Sequence, residues 1–161
     1  MSVDKNLAIV DAYIEAVNHN NWDALNRLYE EFVVVWASSW GADARKTMHR
    51  DEIHANSDRF YAAWPDTHLE KVQMFGVGEW VCVEAIFTAI HKGTVHLAGG
   101  PSLPPTGKKI RSAMCLLYRI QDGRITHALE YYDTMDWWRQ LGVDAPKVPV
   151  VMDVTKPVEK P

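Results

Sequence analysis

Two kinds of hydrophobic spacing divide this chain. Over residues 4–19, Leu7, Val10, Ile14 and Val17 recur at helical intervals with Tyr13 beside them, which predicts an amphipathic helix. Asn20-Asn21 punctuates that pattern, and Asn21 suits the N-cap of a second helix carrying Trp22, Leu25, Leu28 and Tyr29. The β-branched and aromatic run Phe32–Trp36 predicts a short strand, and residues 37–48 show no period and read as loop. Ile53, Phe60, Tyr61 and Trp64 place an apolar stripe on a third helix over 50–63, which Pro65 stops.

Beyond Pro65 the helical period gives way to strand-length runs: His68–Phe75, Trp80–His91, Ile110–Ile120 and Arg124–Tyr132. Gly76-Val77-Gly78 marks one turn, and Gln121-Asp122-Gly123 marks a tight hairpin in which glycine supplies positive φ. Residues 92–107, rich in Gly and Pro, form a long loop of the kind often found at a binding-site mouth. Thr134–Leu141 can form a short last helix. Helices first and an antiparallel sheet afterwards predict an α+β fold, a strongly curved sheet packed on N-terminal helices. Residues 1–142 read as a single domain, and 143–161, with Pro146, Pro149, Pro157 and Pro161, as an extended arm.

The two central strands are apolar on both faces. Val81, Val83, Ala85 and Phe87 alternate with Trp80, Cys82, Ile86 and Thr88, and Met114, Leu116 and Tyr118 alternate with Ala113, Cys115 and Leu117. An antiparallel sheet with one wet face shows polar residues at every second site, so both faces should be covered. The helices cover one, and a second copy of the chain is the simplest cover for the other, which predicts a homodimer. Glu84 is the polar exception, for which Arg111 or Arg119 can supply a partner.

Composition narrows the function. A 161-residue chain with 47% hydrophobic and 24% charged residues supports one globular core. A net charge of −4 gives no basic field for nucleic acid or an anionic membrane surface, and no apolar run reaches the length of a membrane span. The N-terminus has no basic segment followed by an apolar stretch, so a cytoplasmic location is expected. Cys82 and Cys115, in separate apolar runs, read as small buried hydrophobes. The histidine pairs His49/His54 and His91/His96 lack metal-ligand spacing, and no Cys-x-x-Cys, phosphate-cradling loop or nucleophile elbow occurs, so neither metal nor cofactor is expected.

Asp133 is the sharpest chemical candidate. On the last predicted strand Ile125, His127, Leu129, Tyr131 and Asp133 share a parity, and the apolar members point that row inward. A carboxylate ending such a row is desolvated and suited to proton transfer near neutral pH. It equally fits the N-cap of the helix that follows. Tyr13, Trp36, Trp40, Phe60, Trp64 and Tyr131 can wall a pocket for a flat apolar ligand, with Met114 and Leu129 contributed by the strands, although aromatics at helical spacing also fit plain core.

Four segments carry a family likeness: Trp-Pro-Asp-Thr-His-Leu-Glu (64–70), Leu-Pro-Pro-Thr-Gly-Lys-Lys (103–109), Tyr-Arg-Ile-Gln-Asp-Gly-Arg-Ile (118–125) and Glu-Tyr-Tyr-Asp-Thr-Met-Asp-Trp-Trp-Arg-Gln-Leu-Gly (130–142). Their layout resembles the SnoaL-like polyketide cyclases and ester cyclases of the nuclear transport factor 2-like superfamily. The resemblance implies a cone-shaped barrel with an acidic group inside. It also implies a cofactor-independent cyclase or isomerase acting on a small polyketide-like or polycyclic carbonyl compound. The family's acid/base carboxylate near the start of the C-terminal helix carries onto Asp133, with His91 or Tyr131 polarising a carbonyl. Relatives also use a His and a Gln on the preceding strand, and Ile110–Ile120 holds neither. That difference keeps open the alternative of a non-catalytic ligand-binding or dimerisation module.

Overall fold

The computed structural model describes residues 2–40, 43–95 and 102–144. Three helices come early: α1 (Val3–Asn18), α2 (Trp22–Leu28) and α3 (Arg50–Ala63). Six strands, β1 (Tyr29–Ala37), β2 (Lys46–His49), β3 (His68–Val77), β4 (Trp80–Ile90), β5 (Lys109–Gln121) and β6 (Arg124–Tyr132), form one sheet in the order β2-β1-β6-β5-β4-β3. Helix α4 (Thr134–Leu141) closes the domain. The expected α+β architecture holds, with neighbours β3–β4, β4–β5 and β5–β6 all antiparallel.

The helix starts follow local chemistry. Ser2 and Asn21 accept the backbone N–H of Lys5 and Ala24, which satisfies donors that a helix start otherwise leaves free. His49 caps α3 in a reciprocal box. Its Nδ1 accepts from Asp51 N at 3.2 Å, and Glu52 Oε2 accepts from His49 N at 3.0 Å. In the β5–β6 hairpin both central turn residues are left-handed, Asp122 at φ 48° and Gly123 at φ 82°, the geometry that matches strand twist.

Two differences from the sequence expectation concern the first half. Residues 37–48 are not all loop: Ser38–Trp40 form a 3-10 turn and Lys46–His49 form β2. The strand at Phe32–Trp36 extends over Tyr29–Ala37 and pairs parallel with β6, so the sheet is mixed. Hydrophobic spacing reports which face is buried and is silent on strand direction. The arm expected from Val143 lies, from residue 145 onward, outside the described residues.

The core fills the side of the sheet facing the helices. Val81, Val83, Ala85, Phe87 and Ala89 of β4 and Ile110, Met114, Leu116, Tyr118 and Ile120 of β5 are all buried there with Val10, Tyr13, Ile14 and Val17 of α1. Among the described residues no helix is long and apolar enough to cross a membrane.

Candidate active site

A cavity of about 180 Å³ opens between this inner sheet face and the helices. Tyr13 and Val17 of α1 and Ile53, Phe60 and Tyr61 of α3 form one wall; Met114, Leu116 and Tyr118 of β5 and Ala128, Glu130 and Tyr132 of β6 form another. Trp36, Trp40 and Trp137 also contribute to the lining. Among the described residues Glu130 is the only carboxylic side chain lining it, and no Lys, Arg or His does.

Glu130 reaches the cavity because β6 carries a bulge. Arg119 pairs with His127 and Ile120 with Ile125, so Thr126 is an extra residue without an opposite number; its hydroxyl donates to Arg119 O at 3.3 Å. A single insertion exchanges the two faces of everything beyond it. Ile125 points inward before the bulge, and Ala128, Glu130 and Tyr132 do so after it. Glu130 sits opposite Leu116 on β5 and Ala37 on β1, which holds it mid-sheet rather than at a frayed end.

The carboxyl is half-buried, its open side toward the cavity, and it makes no hydrogen bond or ion pair among the described residues. Without a cation or N–H donor to favour the charged form, desolvation alone pushes its pKa up to about 7. Around it stand phenols. Burial raises Tyr13, Tyr118, Tyr61 and Tyr132, and Glu130 adds to each shift. Every hydroxyl is therefore a proton-bearing donor at neutral pH. The rings of Tyr13 and Tyr118 lie 4.9 Å apart, and their hydroxyls are close enough to influence each other's titration, yet Tyr118 Oη has no hydrogen bond of normal geometry. Tyr132 is pinned: Ser39 Oγ lies 2.9 Å from its hydroxyl, and Ser38 Oγ donates to its carbonyl and accepts its N–H. Its ring stacks on Trp137, which stacks on Phe87.

The sequence candidates divide. Tyr13, Trp36, Trp40, Phe60 and Met114 line the cavity. Asp133 does not: it is exposed and caps α4, accepting Asp136 N at 3.1 Å. Tyr131 is 39% exposed on the outer face against Trp36, their rings 4.9 Å apart. Leu129 is buried and lies outside the lining. The bulge is the common cause, since the parity that grouped these three assumed an unbroken strand. Trp64 and His91 are buried together, stacked at 4.6 Å, beside rather than in the cavity. His91 Nδ1 accepts from Thr106 N and lies 3.1 Å from Thr106 Oγ1, fastening the two ends of the 92–107 loop; burial lowers its pKa and keeps it neutral.

Sequence reasoning missed Glu130, Tyr29, Tyr61, Tyr118 and Tyr132. One signal was available for the carboxylates: Asp133 with an acidic residue three positions on reads as a helix cap, which leaves Glu130 to the sheet. Two smaller expectations also change. Glu84 accepts from Gln73 Nε2 at 2.6 Å, while Arg119 pairs with Glu79 at 2.8 Å. Cys115 is exposed and Cys82 half-buried, on the outer face. Among the described residues no group of three or more His, Cys, Asp or Glu is placed to hold a metal ion.

A curated relative, the aklanonic acid methyl ester cyclase DnrD of Streptomyces peucetius, is 32% identical over 82 residues, covering 51% of this chain and 53% of its own. This chain thus aligns with about half the length of that relative. A solved Xanthomonas campestris protein superposes with a TM-score of 0.73 at 21% identity, covering 86% of this chain and 97% of its own. A Catenulispora acidiphila protein of ketosteroid isomerase-like fold, solved with trimethylamine, gives 0.67 at 23% identity, covering 86% and 97%. The two solved structures share the fold, and the family model described as SnoaL-like polyketide cyclase matches residues 7–141. The chain belongs to the SnoaL-like polyketide cyclase family.

Proposed function

We propose that this protein is a cofactor-independent cyclase or isomerase in which Glu130 moves a proton on a small polyketide-like carbonyl compound. The single observation behind this reading is an unpaired carboxyl in a phenol-lined cavity, its pKa raised to about 7. A base poised near ambient pH combines a useful ionised fraction with useful basicity. Glu130 takes a proton from the carbon beside a carbonyl, and the charge moves to the carbonyl oxygen. There the Tyr118 hydroxyl, buried and without a partner, is placed to donate, with Tyr13 next to it. The resulting carbon nucleophile attacks a second carbonyl of the same molecule, and Glu130 returns the proton to the new alkoxide. The compound in the curated relative's name, aklanonic acid methyl ester, is the first to assay. Solvent deuterium should enter the substrate's acidic carbon with wild type and not with Glu130→Gln; equal exchange by both would exclude Glu130 as the base.

A non-catalytic binding pocket is the second reading. It is favoured by β5, whose inner face presents Ile110, Ser112, Met114, Leu116 and Tyr118 without the His and Gln that better-studied cyclases use. Ligand binding without deuterium exchange would support it.

The outer sheet face supports a homodimer. Phe32, Phe75, Val77 and Tyr131 are 57%, 56%, 74% and 39% exposed, an apolar set that a second copy would cover. Light scattering giving the 18.3 kDa of a monomer at micromolar concentration would contradict it.

A further inference from the structure

The centre of the outer sheet face holds two thiols in van der Waals contact. Cys82 Sγ and Cys115 Sγ are 3.5 Å apart. They sit diagonally across adjacent strands, Cys82 opposite Leu117 and Cys115 opposite Glu84. Both point away from the core, since their neighbours Val81, Val83, Met114 and Leu116 are buried on the inner side. Cys115 is exposed and Cys82 half-buried.

We propose that Cys82 and Cys115 form a peroxide-sensitive dithiol that closes reversibly into a cross-strand disulfide. Exposure assigns the roles. The Cys115 thiolate attacks a peroxide oxygen; the O–O bond breaks, and the departing hydroxide takes up the thiol's proton as water. This two-electron step leaves Cys115 as a sulfenic acid. Cys82 then attacks the Cys115 sulfur, the S–O bond breaks, and a second water leaves with the Cys82 proton. Two thiols and one hydrogen peroxide give one disulfide and two waters. Burial and then Cys115 hold the Cys82 thiol up at about 11, so it stays protonated and leaves the first reaction with peroxide to Cys115.

Strand geometry makes the bond reducible. Diagonal neighbours on antiparallel strands have Cα atoms about 7–8 Å apart, whereas an unstrained disulfide spans at most about 6.8 Å. Because β4 and β5 are already fully paired, closure must shorten that diagonal by shear or twist of one strand against the other, and a strained bond is readily reduced. Cys115 lies between Met114 and Leu116, both in the cavity wall, so the same movement reaches the site from behind. A homodimer through this face would cover the pair, which assigns the chemistry to the separated subunit.

The test is peroxide treatment of the full chain at sub-micromolar concentration, followed by alkylation and intact-mass analysis. The expected product is a monomer lighter by two hydrogens, with both thiols protected, a linked 82–115 peptide, and full recovery in dithiothreitol. Cys82→Ser should trap the Cys115 sulfenic acid for a dimedone probe; Cys115→Ser should give no such adduct. Persistent alkylation of both thiols, over-oxidation of Cys115 without a link, or linkage only between chains would each overturn the proposal. Neither cysteine lines the cavity, so failure here leaves the Glu130 reading intact, and Glu130→Gln should oxidise as wild type does.

Discussion

Glu130 and Asp133 lie three residues apart and carry the same functional group, yet the structure treats them oppositely. Glu130 is turned into a cavity where, among the described residues, no N–H donor or cation bonds to it, so its charged form is disfavoured. Asp133 stands at the start of α4, exposed, accepting the N–H of Asp136. The helix it begins is held firmly: Gln140 accepts Arg111 N and donates to Arg111 O, and Trp138 and Leu141 are buried. One carboxyl is placed to exchange protons and the other to hold backbone. What separates them is which side of the chain each leaves after the Thr126 bulge.

The largest effect should separate the two in turnover. Glu130→Gln should lower kcat by about 10²–10⁴-fold, and Asp133→Asn, which keeps the cap oxygen, should leave it within a few-fold. The reverse ranking in a steady-state assay would return the acid/base role to the helix start. In the wild type kcat/KM should rise with pH through about 7, as Glu130 ionises, and that limb should vanish in the glutamine variant.

A stability difference of opposite sign comes next. The carboxyl of Glu130 has a higher pKa folded, about 7, than its ordinary 4.5, so the folded chain keeps a proton that the unfolded chain gives up between those values. Stability from this group is therefore greatest below the unfolded value, falls as pH rises toward about 7, and is level above it. Glu130→Gln abolishes the fall, which is worth up to about 3 kcal/mol. Its melting temperature should gain on wild type between about pH 5 and about pH 8. Asp133→Ala should instead lose about 1 kcal/mol at neutral pH by removing a cap, or about 2–4 °C in Tm.

The smallest effect should fall on Tyr118. Its hydroxyl is buried and unsatisfied, so Tyr118→Phe should leave thermal stability equal or slightly higher. A donor to the reacting oxygen should still show as a loss of turnover, up to about 10²-fold. A stability loss above about 1 kcal/mol would mean that the hydroxyl has a structural partner.

Much of this molecule was legible in the amino-acid order. The spacing of Leu7, Val10, Ile14 and Val17 sufficed for α1, Asn21 for the start of α2, and Asp122-Gly123 for the β5–β6 turn. The reason is physical: helix periodicity, capping and left-handed turn residues are decided by neighbours within a few positions. The pocket aromatics Tyr13, Trp36, Trp40 and Phe60, and Met114 beside them, were reachable on the same basis. Tertiary structure alone decided the rest. Whether Thr126 bulges depends on how Arg119 and Ile120 meet it across the hairpin, and that register determines which of Glu130 and Asp133 faces the cavity. The parallel pairing of β1 with β6 and the 3.5 Å contact between Cys82 and Cys115 are likewise matters of registry between distant segments. No local pattern in the chain encodes such a registry, because strand alternation has a period of two and one inserted residue inverts it.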